Sequence, residues 1–123
     1  MQSEDLRIGN WILNHKGELE TVRAIGMNEY IWFDKERNLL DKLCKGLKLT
    51  KQHLIDFNFE ELGLAFVKND SIIIWIENDK FLFYLKSHNG TEIKRYIEYF
   101  HELQNLYFAL TGEELELKNE SKP

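Results

Sequence analysis

Four histidines, His15, His53, His88 and His101, are the first residues to weigh for metal chemistry. A zinc site needs several imidazole or thiolate ligands converging in a tetrahedron, and a catalytic helix site needs His-Glu-Xaa-Xaa-His. His101-Glu102 continues into Leu103-Gln104-Asn105, so the second histidine is missing and His101 reads as a side chain on the polar face of a helix. Cys44 lies among lysines, which lower a thiol pKa and favour a thiolate nucleophile. No glycine-framed nucleophile turn surrounds it, and a small buried hydrophobe is the better reading. Glu60-Glu61 and Glu113-Glu114 are paired carboxylates, yet acid–base work requires two environments that separate the pKa values, and both pairs fall beside element ends as solvated groups. Gly9, Gly17 and Gly26 punctuate turns without the spacing or the following helix of a phosphate-cradling loop. No catalytic residue, metal or cofactor is expected, and the chain is read as a non-enzyme.

The basic segment 35–51 is the strongest polar candidate. It carries Lys35, Arg37, Lys42, Lys45, Lys48 and Lys51 against Glu36 and Asp41, a local charge of +4 within a chain of net charge −5, so the remaining segments together carry −9. An acidic body of this kind does not bind nucleic acid by charge alone, because that term needs a net cationic face that releases counterions from phosphate. The local segment retains the parts of a contact with RNA or an acidic partner. Lys42, Lys45 and Lys48 recur every three residues, and aromatic Trp32 and Phe33 precede them as stacking surfaces. Lysines at regular spacing also describe a solvated face.

The elements that must hold these residues are short. Trp11 to Leu13, Leu19 to Ile25 and Tyr30 to Phe33 read as three β segments separated by turns at Asn14 to Gly17 and Gly26 to Asn28, a curled, small-barrel-like meander. Residues Asn38 to Gly46 fit either a helical period or a loop or edge strand. Thr50 is placed to cap a short helix carrying Leu54, Ile55 and Phe57, which Asn58 ends in a left-handed conformation. Asn69-Asp70, Asn78-Asp79 and Asn89-Gly90 then separate four antiparallel strands at about 64–68, 71–77, 80–86 and 92–98. The second and third are apolar on both alternating sets, so both of their faces are expected to be covered. Phe100, Leu103, Tyr107 and Leu110 form the stripe of a closing helix, with His101, Glu102, Gln104 and Asn105 opposite and Gly112 as its stop. The expected fold is therefore α+β: an N-terminal meander, a short helix and a four-stranded antiparallel sheet with the closing helix packed on it. Residues 1–117 are expected to form a single domain, with 118–123 as a frayed tail.

Three separated segments, LRIGNWI, LTKQHLIDFNFE and IEYFHELQNLYFALTGEEL, together resemble a family of short, uncharacterised proteins encoded by bacterial prophages and integrated mobile elements. That family shares an opening Arg-Ile-Gly-Asn, a Leu-Thr helix start followed by Gly-Phe, and a closing His-Xaa-Leu-Gln-Asn-Leu-Tyr-Phe-Ala-Leu-Thr-Gly. The matching positions here are Arg7 to Asn10, Leu49-Thr50 with Asn58-Phe59, and His101 to Gly112. Gly46 and Lys48 stand where the family's prolines are expected, and Asn58 where its glycine is. The resemblance implies a mobile element in a bacterial host and assigns no activity.

Composition agrees with a folded, non-exported chain. An apolar fraction of 43%, 13% aromatics and 30% charged residues describe a globular protein, and 123 residues suffice for an ordinary core. The acidic opening lacks an apolar export segment, and the longest apolar runs are too short for a bilayer, so a cytoplasmic location without membrane contact is expected. Functionally, the chain reads as a protein-binding accessory protein of a phage or mobile element. Its most concrete form is an inhibitor of a host nucleic-acid-targeting defence nuclease or its ribonucleoprotein, an anti-CRISPR-like role. Trp11, Trp32 and Phe108 are its candidate partner anchors. The alternative is a small RNA-binding module using residues 35–51, and a homodimer is compatible with either.

Overall fold

Asparagine turns set the register of the larger sheet. In the computed structural model, which describes residues 6–26, 30–33, 37–39, 44–69, 71–86, 90 and 92–117, Asn78 and Asp79 adopt φ of 50° and 64°. Two consecutive left-handed residues make the tight turn whose twist matches antiparallel strands, and they join Ile72–Glu77 to Lys80–Lys86. Asn69 has φ 57° before Ile72, and Gly90 has φ 88° before Glu92. Asp70 and Asn89 of the other expected turns, together with Met27 and Asn28 of the turn after Ile25, lie outside the described residues.

In chain order the strands are β1 (Trp11–Leu13), β2 (Leu19–Thr21), β3 (Ala24–Ile25), β4 (Tyr30–Trp32), β5 (Arg37–Leu39), β6 (Lys45–Gly46), β7 (Glu60–Leu62), β8 (Ala65–Lys68), β9 (Ile72–Glu77), β10 (Lys80–Lys86) and β11 (Glu92–Ile97). The helices are α1 (Lys51–Asp56) and α2 (Phe100–Thr111). They form sheets ordered β2-β1-β6, β3-β4-β5 and β11-β10-β9-β8-β7, the last antiparallel throughout. The class is α+β, as expected.

The chain divides into two compact units, one drawn from residues 1–48 and 99–114, the other from 49–98 and 115–123. In the first, Leu6, Ile12, Val22, Phe33 and Cys44 form a buried apolar cluster. Cys44 is therefore a core residue, packed as a small hydrophobe. The expected strand from Leu19 to Ile25 is interrupted, because Val22 turns its side chain into this core while its backbone bonds Gly9 (2.8 Å) and Asn10 (2.9 Å). Within 38–46, the described ends are strands, and β6 pairs with β1. Gly46 is required there: an added Cβ would lie 2.6 Å from the ring of Tyr99.

The closing helix belongs to this first unit. It was expected on the antiparallel sheet; it is grouped instead with residues 1–48, where its partners include segment 7–11, with the Trp11 ring 5.3 Å from that of Phe100, and Leu47 O, which accepts from Phe100 N. Phe100, Leu103 and Tyr107 are buried, as the apolar stripe required. His101 and Gln104, expected on the solvent face, are buried too. Gly112, at φ 76°, ends the helix by donating to Phe108 O at 2.8 Å.

In the second unit, Phe66, Ile74 and Phe83 are register partners in one buried row of the five-stranded sheet. The strand that sequence reading missed is β7. Glu-Glu-Leu has little β propensity, and it pairs with β8 through a turn in which Gly63 has φ 67°. Helix α1 begins with a reciprocal cap: Thr50 Oγ1 accepts from His53 N (3.3 Å), and Thr50 N donates to His53 Nδ1 (3.1 Å). Burial holds the His53 pKa below its ordinary value, opposed by the charge of Asp56.

The cap needs an unprotonated Nδ1, so the native state binds the proton less readily than the unfolded chain. Its contribution is intact above the ordinary imidazole value and is lost as pH falls below about 6.5. His53→Gln keeps an acceptor at this position without a titrating ring. Denaturation midpoints measured from about pH 7.5 to about pH 5 should fall more steeply for the parent than for this variant; parallel curves would show that the cap does not titrate.

Candidate functional site

The opening and closing segments that carry the sequence resemblance meet in the first unit. Arg7-Ile8-Gly9-Asn10 is a tight turn: Gly9 takes φ 99°, Asn10 N donates to Arg7 O (3.0 Å), and Asn10 Oδ1 accepts from Arg7 N (2.7 Å). The Asn10 side-chain amide then donates to Asn105 Oδ1 (2.8 Å) and Gln104 Oε1 (3.3 Å). Gln104 answers the chain backbone directly, its Oε1 accepting from Trp11 N (2.9 Å) and its Nε2 donating to Gly9 O (3.2 Å). Its amide thus extends the hydrogen bonding of the strand.

Arg7 completes the network. Its guanidinium donates to Asn105 Oδ1 (3.1 Å), Gln104 O (3.3 Å) and both oxygens of Glu114 (2.5 and 3.0 Å). The helix stop positions Glu114: Thr111 Oγ1 donates to Tyr107 O (2.8 Å) and accepts from Glu113 N (3.1 Å). Glu114 is half-exposed, so the ion pair adds geometry more than energy. Each polar group of this cluster is turned on another part of the fold. The arrangement orients no nucleophile or acid–base pair; it locks the helix to the strand.

The predicted anchors take different places. Trp11 is half-buried against Phe100. Phe108 is 38% exposed, with the Arg7 guanidinium 4.3 Å from its ring centre. Trp32 and Arg37 are backbone register partners across β4 and β5. Lys45 is exposed on β6, and Lys48 is exposed where the chain bridges to Tyr99. Lys51 is exposed at the start of α1, in the second unit. Lys35 and Lys42 lie outside the described residues, as does His88. His15 is exposed in a turn, and the His101 ring stacks on Tyr99 at 5.8 Å. Among the described residues, no three His, Cys, Asp or Glu side chains gather as a metal-binding group, and no helix is long and apolar enough to cross a membrane.

The surface that sequence reading did not single out lies on the five-stranded sheet. The register aligns Leu62, Ala65, Trp75, Leu82 and Tyr96 in one row from β7 to β11, on the face opposite Phe66, Ile74 and Phe83. Leu62 is 54%, Trp75 44% and Tyr96 54% exposed. Beside this row lie half-buried Val67, Ile73 and Tyr84. Burial, then the hydrogen bond and charge of Glu92, push the Tyr84 phenol above its ordinary pKa. Lys80 holds its ammonium 5.9 Å from the Tyr96 ring. The expectation that both faces of β9 and β10 are covered is met on the inner side, whereas the outer side presents aromatic and aliphatic groups to solvent.

Comparison with protein-family models, with curated proteins and with solved structures gives no match to this chain.

The polar lock has a measurable consequence. Gln104→Leu keeps volume but deprives Trp11 N and Gly9 O of their side-chain partner and the Asn10 amide of one of its two, at a cost of roughly 2 to 4 kcal/mol. Glu114→Gln, at a half-exposed position, should cost less than about 1 kcal/mol. Chemical denaturation of both variants checks the order; equal losses would contradict it.

Proposed function

We propose that this protein is a non-enzymatic protein-binding module whose contact surface is the outer face of the five-stranded sheet. The observation that carries the reading is the exposed Trp75 and Tyr96 in one row with Leu62 and Leu82. Interface cores are enriched in aromatic side chains and depleted in charge, and a contiguous apolar patch on a small domain marks a place where another surface binds. Trp and Tyr also supply much of the energy of specific interfaces. The aliphatic neighbours Val67 and Ile73 favour a protein surface over stacked bases, because they offer no π face.

The most specific form of this role is stoichiometric inhibition of a host nucleic-acid-targeting nuclease by a mobile-element protein. Its support is the resemblance of the opening and closing segments to mobile-element proteins, together with the binding character of the sheet face. Inhibition of that kind acts by occupying surface.

Titration against a protein copurified from a bacterial lysate should end near one module per site. Tyr96→Glu, which places charge in the row, should abolish retention while leaving the thermal unfolding of the module intact. Retention unchanged by Tyr96→Glu would remove the sheet face from the account. A target left modified after a small fraction of an equivalent had been added and removed would make the protein an enzyme.

A further inference from the structure

The outer face of the five-stranded sheet has a symmetry in its chemistry. Neighbouring strands lie about 4.8 Å apart, and β9 is the middle strand, with β8 and β7 on one side and β10 and β11 on the other. A rotation of 180° about an axis parallel to β9, in the plane between two stacked faces, exchanges β7 with β11 and β8 with β10 and leaves each row at its own height. Row by row, the partners that this operation creates are complementary.

In the central row Trp75 meets Trp75 of the second copy, Leu82 meets Ala65 and Tyr96 meets Leu62. Large side chains on one strand therefore face smaller ones on the other. In the next row Ile73 meets Ile73 and Tyr84 meets Val67, while at the two margins Lys94 of β11 faces Glu60 of β7. Because the operation is two-fold, that ion pair occurs twice. Glu77 meets its own mate at the end of β9, where each is the register partner of Lys80 in its own chain. Sheets stack about 10 Å apart with strands within about 30° of alignment, so rows near the axis remain matched, and long Lys and Glu side chains can accommodate the twist at the margins.

We infer that this face binds a second copy of the same chain, forming an isologous sheet-on-sheet dimer about an axis parallel to β9. This rests on the reading of the outer face as a protein-binding surface and names its resting occupant. The charge arrangement carries the choice of partner: Glu60 of β7 and Lys94 of β11 stand in one register row at equal distance from the apolar centre, so that row is complementary to itself, while Glu92, beside Lys94 on the same face, is turned to Tyr84 of its own chain. Like charges at both of these margins would oppose it, whereas the Glu77 pair on the axis is flanked by Lys80 of each chain.

Equilibrium sedimentation of the full chain should show reversible association to twice the 14.7 kDa monomer. Trp75→Glu should leave a folded monomer, as judged by its circular dichroism. Glu60→Lys and Lys94→Glu should each weaken the dimer by roughly tenfold, since each places like charges opposite one another twice per dimer. The double variant should return to within about threefold of the parent by restoring both pairs with reversed sign. Within one chain the two positions are four strand spacings apart, about 19 Å and well beyond the screening length at physiological salt, so rescue must act between copies.

A chain that stays monomeric at every concentration overturns the inference; if it still retains a lysate protein that Tyr96→Glu loses, the protein-binding reading survives alone. A dimer indifferent to Trp75→Glu, or charge reversals that do not rescue one another, also overturns it. Quenching of tryptophan fluorescence by a single-stranded oligonucleotide, lost in Trp75→Phe and seen with a monomeric parent, would replace it with a base-stacking platform.

Discussion

The first unit depends on one side chain that behaves as backbone. Gln104 presents a carbonyl and an amino group to Trp11 N and Gly9 O, filling the hydrogen-bonding positions that another strand would fill. A buried amide left without partners costs about 1 to 3 kcal/mol, so these groups accept only a narrow placement of the helix. Asn10 and Asn105 fix the same placement from the turn, and Arg7 extends it to the end of the helix through Glu114. Burial of Phe100 beside Trp11 supplies non-directional attraction between helix and strand; the amides decide the register.

That constraint joins residues far apart in the chain. The first unit is discontinuous, and residues 49–98 leave and return through it in sequence. An insertion of that length requires its ends to come together. Leu49 N donates to Glu98 O at 3.0 Å in the second unit, while Lys48 and Tyr99 form a bridge in the first and Phe100 N donates to Leu47 O at 2.7 Å. The ring of Tyr99 over Gly46 explains why that position is glycine.

Much of the second unit was legible in the sequence because its signals are local. Asn78-Asp79 specifies a tight turn, the alternating apolar residues around it specify long strands, and Thr50 and Asn58 punctuate α1 by their own backbone chemistry. The strand β7 was not legible, since Glu60-Glu61-Leu62 is held by pairing with β8 and not by propensity. Nor was the placement of the helix. Gln104 and His101 look like solvent residues to a periodicity argument, and only the backbone groups of Gly9 and Trp11, distant in sequence, draw Gln104 inward. The outer sheet face was misread for a related reason: both alternating sets of β9 and β10 are apolar, and a pattern of residue types cannot tell a covered face from an exposed one. Of the basic segment, Lys45 and Lys48 fall in one unit and Lys51 in the other, and Lys35 and Lys42 lie outside the described residues.

The polar lock holds the first unit together, the sheet face carries the proposed contact, and the lock is the part on which the closing helix depends. A double-mutant cycle on Asn10 and Gln104, comparing each alanine variant and the pair by chemical denaturation, isolates the coupling across it. The account predicts a coupling of about 1 kcal/mol or more, in the range of residues sharing one hydrogen-bond network. Additivity to within about 0.3 kcal/mol would mean that the two side chains act independently and that the helix is placed by apolar packing alone.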